Sequence, residues 1–166
     1  MATTLKNLSE FKPETIPNAE DKIFGIIVSE WNTEITNALL QGALECLSNA
    51  GATDKQILIR TVPGTFELPF GAQFLIENNH VDAVICLGCV IQGETKHFDF
   101  ICDATANGIM KVGLDFRTPI IFGVLTTNNL EQAQDRSGGK YGNKGVEAAV
   151  TALKMLNLYS INGITK

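Results

Sequence analysis

Four times along this chain a short, almost wholly apolar run is followed by a stretch with helical spacing, and that alternation limits the available folds more than any other feature. The runs are 23–29, 56–62, 82–91 and 120–125. None has a wet face, so each reads as a strand buried on both sides. After the first, Asn32 or Thr33 can cap a helix carrying Ile35, Leu39, Ala43, Leu47 and Ala50 on one face, and Gly51 closes it. Pro63-Gly64 stops the second strand, and a helix is predicted over 67–79. Further helices are predicted over 97–116, over 130–135, and from the glycine-rich segment to about 158. Strands of this kind joined by helices make a parallel sheet with right-handed crossovers. The expected architecture is α/β: a three-layer α/β/α sandwich on a four-stranded parallel sheet, flavodoxin-like in plan. Residues 1–20, with Pro13 and Pro17, read as an N-terminal arm, and 21–166 as a single domain.

Composition removes several function classes. Eighteen acidic against 13 basic residues leave a formal charge of −5, which disfavours a general nucleic-acid or anionic-membrane binder. No apolar run approaches the roughly 20 residues of a membrane span. The start of the chain lacks the basic and apolar stretches of an export signal, so a cytoplasmic location is expected. Cys86 and Cys89 form a C-x-x-C, yet they lie on a predicted strand, where positions three apart face opposite ways. Buried structural thiols are therefore expected, rather than a redox pair or zinc ligands.

In parallel sheets ligands bind beyond the carboxyl ends of the strands, which singles out the segments 30–33, 63–67, 92–97, 126–129 and 138–145. His97 follows the third strand and can exchange a proton near neutrality; a helix-capping surface histidine is the competing reading. Arg136, Lys140 and Lys144 recur every four residues among Gly138, Gly139, Gly142 and Gly145, with no acid before Glu147. That is either a phosphate cradle opening onto a helix N-terminus or a solvated basic turn. In the rigid Pro63–Pro69 segment, Phe66 offers a wall and Glu67 an acceptor or a first-turn helix acid. Trp31, the one tryptophan, is a stacking platform or a core residue.

Four segments then resemble the 6,7-dimethyl-8-ribityllumazine synthase family, in order, over about residues 22–158. They are Val62-Pro63-Gly64-Thr65-Phe66-Glu67-Leu68-Pro69, Leu87-Gly88-Cys89-Val90-Ile91-Gln92-Gly93-Glu94-Thr95-Lys96-His97-Phe98-Asp99, Ile121-Phe122-Gly123-Val124-Leu125-Thr126 and Gly139-Lys140-Tyr141-Gly142-Asn143-Lys144-Gly145. The resemblance implies condensation of 5-amino-6-(D-ribitylamino)uracil with 3,4-dihydroxy-2-butanone 4-phosphate, the penultimate step of riboflavin formation. It implies an aminouracil pocket of Trp31, Thr65, Phe66, Glu67, Cys89, Val90 and Ile91, with Cys89 contributing backbone. Gly93, Glu94 and Thr95 would hold the phosphate, and His97 would transfer the proton. Phe122, Arg136 and Lys144 would come from a neighbouring subunit. Trp31 stands where many relatives have Phe, and Gln92 where many are basic. No cofactor and no metal are implied.

The same resemblance implies a homo-oligomer. Its unit is a ring of five, with the N-terminal arm adding a strand to the neighbouring subunit, and twelve rings build a sixty-subunit shell; riboflavin synthase is a candidate partner. The rival readings are a flavin-binding flavodoxin-like module and a catalytically silent shell protein. The first would want a hydroxyl-rich phosphate loop after the first strand, where Ser29-Glu30-Trp31-Asn32-Thr33 stands instead.

Overall fold

The computed structural model describes residues 16–161. Its strands are β1 (Phe24–Ser29), β2 (Ile57–Val62), β3 (Ala83–Ile91) and β4 (Ile120–Thr127), all parallel, in the order β2-β1-β3-β4. All six residues of β1 are buried, as expected for an inner strand covered on both faces, whereas the edge strand β2 exposes Ile59, Arg60 and Thr61, so the expectation of four strands without a wet face fails there. Between the strands run α1 (Thr33–Asn49), α2 (Leu68–Asn78) and α3 (His97–Phe116), with α4 (Leu130–Gln134) and α5 (Lys144–Ile161) after β4.

The sheet divides the interior into two apolar clusters. Phe24, Ile26 and Val28 of β1 meet Leu39 and Leu47 of α1 and Leu153 of α5 on one face. Ile27 meets Leu68 and Leu75 of α2 and Ile109 of α3 on the other. Three layers result, as strand alternation demands. Cys86 packs into the α2–α3 cluster and Cys89 into the α1–α5 cluster, so the C-x-x-C sulfurs sit on opposite faces of β3. Burial pushes the Cys86 thiol up to about 12 and the Cys89 thiol up to about 11, which makes both inert structural groups near neutrality.

The segment read from sequence as one glycine-rich loop contains a short antiparallel hairpin, β5 (Ser137–Gly139) with β6 (Gly142–Asn143). The expected arm falls mostly on residues 1–15, outside the described residues. Its last part already packs on the domain: Ala19 is fully buried and its N–H donates to the Ala50 carbonyl at 2.9 Å.

Candidate active site

The register of the sheet creates a concavity at the carboxyl end of β3. β3 runs to Ile91, but its pairing with β1 ends at Leu87 opposite Val28. Past that point β1 turns toward β2: the Glu30 N–H donates to the Val62 carbonyl at 2.9 Å and the Trp31 N–H to the Pro63 carbonyl at 3.2 Å. Residues 88–91 of β3 therefore carry a flank that β1 does not cover. A groove of about 690 Å3 opens there, with Trp31 and Asn32 on one side and Cys89, Val90 and Ile91 on the other. Thr65, Phe66 and Glu67 form its end, and His97 and Ile101 of α3 line it as well.

Local packing holds these walls in place. The buried Thr65 sits in a 3-10 turn whose carbonyl accepts from the Thr105 hydroxyl of α3 at 3.2 Å. Gly88 allows that turn to seat on β3, because a Cβ there would lie 3.0 Å from Thr65 Oγ1. Trp31 is 72% exposed and Phe66 56% exposed, so both aromatic faces are unspent and core packing is not the role of Trp31. His97 opens α3 at the surface, where its N–H donates to Thr95 Oγ1 at 3.3 Å. Gly93, Glu94 and Thr95 are exposed in the connection just before it, and around Gly93 no heavy atom stands within 4 Å of where a Cβ would be.

A second concavity, of about 370 Å3, shares no lining residue with the first. Phe122 of β4, Gln132 of α4, Arg136, Lys144 and Glu147 surround it. Arg136 is oriented by two contacts: Nη1 donates to the Gln132 carbonyl at 3.0 Å, and the guanidinium lies 4.8 Å from the Tyr141 ring centroid. Lys144 Nζ pairs at 2.9 Å with Glu147 Oε2, whose residue is buried.

Several amides of the hairpin and of the start of α5 are already used within the chain, so the phosphate-cradle reading loses these donors. Tyr141 N–H donates to the Asp135 carbonyl and Lys144 N–H to the Arg136 carbonyl. The N–H groups of Gly145 and Val146, at the start of α5, both donate to Asn143 Oδ1. The glycines answer to packing instead. Gly138 and Gly142 have φ of 124° and 77°, and a Cβ on Gly145 would lie 1.8 Å from the Leu39 carbonyl oxygen. The positive charge of the segment is also smaller than its composition suggests, since Glu147 neutralises Lys144. An i,i+3 Lys–Glu spacing was the available signal for that pair.

Asn32 is a second correction. It precedes α1, but its side chain does not cap the helix; Nδ2 crosses the groove mouth to donate to the Cys89 carbonyl at 2.9 Å. No local pattern announces a bond between residues that far apart in the chain.

A family model for 6,7-dimethyl-8-ribityllumazine synthase matches residues 21–160. The chain belongs to that family. A 6,7-dimethyl-8-ribityllumazine synthase of Cytophaga hutchinsonii is 60% identical over 94% of this chain and 98% of its own length. One of Phocaeicola vulgatus is 52% identical over 95% and 94%, and one of Flavobacterium johnsoniae 54% identical over 93% and 82%. Membership of the lumazine synthase family decides against a flavodoxin-like electron carrier, which shares the layered plan alone. Among the described residues, no helix is long and apolar enough to cross a membrane.

Proposed function

We propose that this chain condenses 5-amino-6-(D-ribitylamino)uracil with 3,4-dihydroxy-2-butanone 4-phosphate to 6,7-dimethyl-8-ribityllumazine, releasing phosphate and water. It is thereby a transferase of riboflavin biosynthesis. Beyond family membership, one observation carries the reading. Most of the residues expected to serve two substrates line two separate open half-sites on a single chain, one aromatic and rich in backbone edge, the other bearing the Arg136 guanidinium, while Gly93, Glu94 and Thr95 stand exposed in the connection before His97. A ring of like subunits brings the Trp31 groove of one copy against the Arg136 concavity of the next.

In that arrangement the flat pyrimidine stacks on Trp31 and Phe66, lies against Cys89, Val90 and Ile91, and pairs with the β3 backbone that Asn32 leaves open. Thr65 and Glu67 accept from the ring and the ribityl chain, and Phe122 of the neighbouring copy closes the far side. The phosphate lies against the backbone of Gly93, Glu94 and Thr95, within reach of Arg136, whose planar fork suits it. Lys144 contributes less, because Glu147 already balances it. The aminouracil supplies its own amine as nucleophile, so no enzyme lysine forms an imine. His97 protonates the ketone oxygen as the amine attacks, and that oxygen leaves as water when the imine forms. The now neutral imidazole accepts the carbon-bound proton lost as phosphate is eliminated, and closure of the ribitylamine onto the remaining carbonyl releases a second water. Most of the acceleration comes from holding both molecules together, since proximity alone supplies several kcal/mol.

The assembly that follows is a homopentamer in the cytoplasm, with the N-terminal arm expected over residues 1–20 adding a strand to a neighbour's sheet. Twelve such rings close into a shell, and riboflavin synthase is the partner that consumes the product. Mixing the purified protein with both substrates, without metal or cofactor, should generate the green fluorescence of the lumazine. His97→Ala should lower kcat by about tenfold, at the weak end of acid–base effects. A wild-type protein that forms no lumazine from the two substrates overturns the reading.

A further inference from the structure

We infer that Asn32 is a positioning residue that sets the width of the aminouracil slot. The inference rests on the reading that the groove between Trp31 and β3 receives that substrate. Two independent observations support it. First, Asn32 has φ 59° and ψ 48°, the left-handed region that asparagine and glycine tolerate and most residues avoid. Second, its side chain is spent on a tertiary bond, Nδ2 to the Cys89 carbonyl at 2.9 Å, instead of on the helix it precedes.

The bond replaces a strand. The pairing of β3 with β1 stops at Leu87, and the Cys89 carbonyl points into the space β1 has left. The amide of Asn32 occupies one rung of that missing ladder. The backbone of the next open rung, at Ile91, remains for a ligand. Because Trp31 is the preceding residue, the same bond fixes how far the stacking ring stands from the β3 edge. A flat heterocycle that both stacks and pairs needs those two surfaces at one separation, and the Asn32–Cys89 bond spans it.

The two substrates make the test selective, and the sole tryptophan provides a direct reporter. Asn32→Gly keeps the left-handed turn accessible and removes only the tie. Asn32→Asp keeps the shape but cannot donate, and turns a carboxylate toward a carbonyl oxygen. Titrating each full-length variant with the aminouracil and following Trp31 fluorescence should show its Kd raised roughly tenfold, the loss of one well-made hydrogen bond. Trp31 anisotropy should fall in both variants. The KM for the aminouracil should rise in step, while the KM for the phosphate substrate stays near wild type. Aminouracil affinity unchanged in both variants, or both KM values raised alike, overturns the inference while the proposed function stands. A wild-type chain that neither binds the aminouracil nor forms lumazine takes down the proposed function itself.

Discussion

The two concavities that hold the candidate site residues are built by different means. The Trp31 groove is a consequence of strand register: β3 outlasts β1, and the uncovered backbone is flanked by aromatic rings with nothing of their own to pack on. The Arg136 concavity depends on a hairpin with little apolar content, hooked to its surroundings by side chains. Asn143 Nδ2 donates to the Ala38 carbonyl of α1 at 2.9 Å and to the Ser137 carbonyl at 3.2 Å, while its Oδ1 accepts two amides of α5. One recognition surface is thus shaped by the sheet and the other by a few polar contacts and very close packing. The first should tolerate truncation of a wall residue; the second should be brittle.

The largest effect should come from the close packing. Gly145→Ala places a methyl against the Leu39 carbonyl at a separation no contact allows, so α1 and α5 must part. A loss of more than about 3 kcal/mol, read as a drop in the urea midpoint, is expected from forced overpacking against backbone. A midpoint near wild type would show that the hairpin side yields easily and would erase the contrast.

Arg136→Ala comes next. Removing a charge-assisted bond to the phosphate should raise the KM for that substrate by about 10- to 100-fold. Glu67→Ala should raise the KM for the aminouracil instead. Refolding the two variants together should restore wild-type kinetics at a fraction of sites if, as proposed, each working site joins half-sites from two chains. Absence of any rescue would mean that each chain completes its own site.

The smallest effect concerns the core shared by both regions. Burial pushes Cys46 and Cys89 up to about 11 and Cys86 up to about 12. Below the ordinary thiol range neither the folded nor the unfolded chain ionises, and stability is unaffected. Above pH about 9 the unfolded chain releases thiol protons that the folded chain keeps, so stability falls as pH rises. Each such thiol steepens the fall by up to about 1.4 kcal/mol per pH unit. Urea midpoints between pH 7 and 10 should decline, and Cys86→Ala should flatten that slope whatever it costs at pH 7.

The scaffold was readable because its determinants are local. Apolar runs marked all four long strands, and the predicted bounds of α3, 97–116, coincide with the observed His97–Phe116. The pleat alone told that Cys86 and Cys89 diverge. The hairpin escaped because β5 and β6 hold three and two residues with no apolar alternation to betray them. Composition cannot distinguish a glycine amide left free for an anion from one taken by Asn143, as that of Gly145 is. Asn32, one of two candidate caps with Thr33, does precede its helix, but nothing local marks Cys89 as its partner, since that bond depends on where β1 stops beside β3. The exposed rings of Phe70 and Phe74 and the side chains of Met110 and Leu114 carry the same lesson. Periodicity finds a helix's apolar residues but not which of them this single chain leaves uncovered.

The unequal ends of β1 and β3 have a consequence for anyone redesigning this protein. Extending β1 by a rung or two, with residues that continue toward Ile91 in place of the turn at Trp31, would zip the sheet shut. The fold would gain backbone bonds and a flatter, sturdier edge, and it would have nowhere left to dock a heterocycle. What looks like an unfinished ladder is, under the proposed function, the vacancy that receives the aminouracil, and thermal hardening aimed there would trade it away.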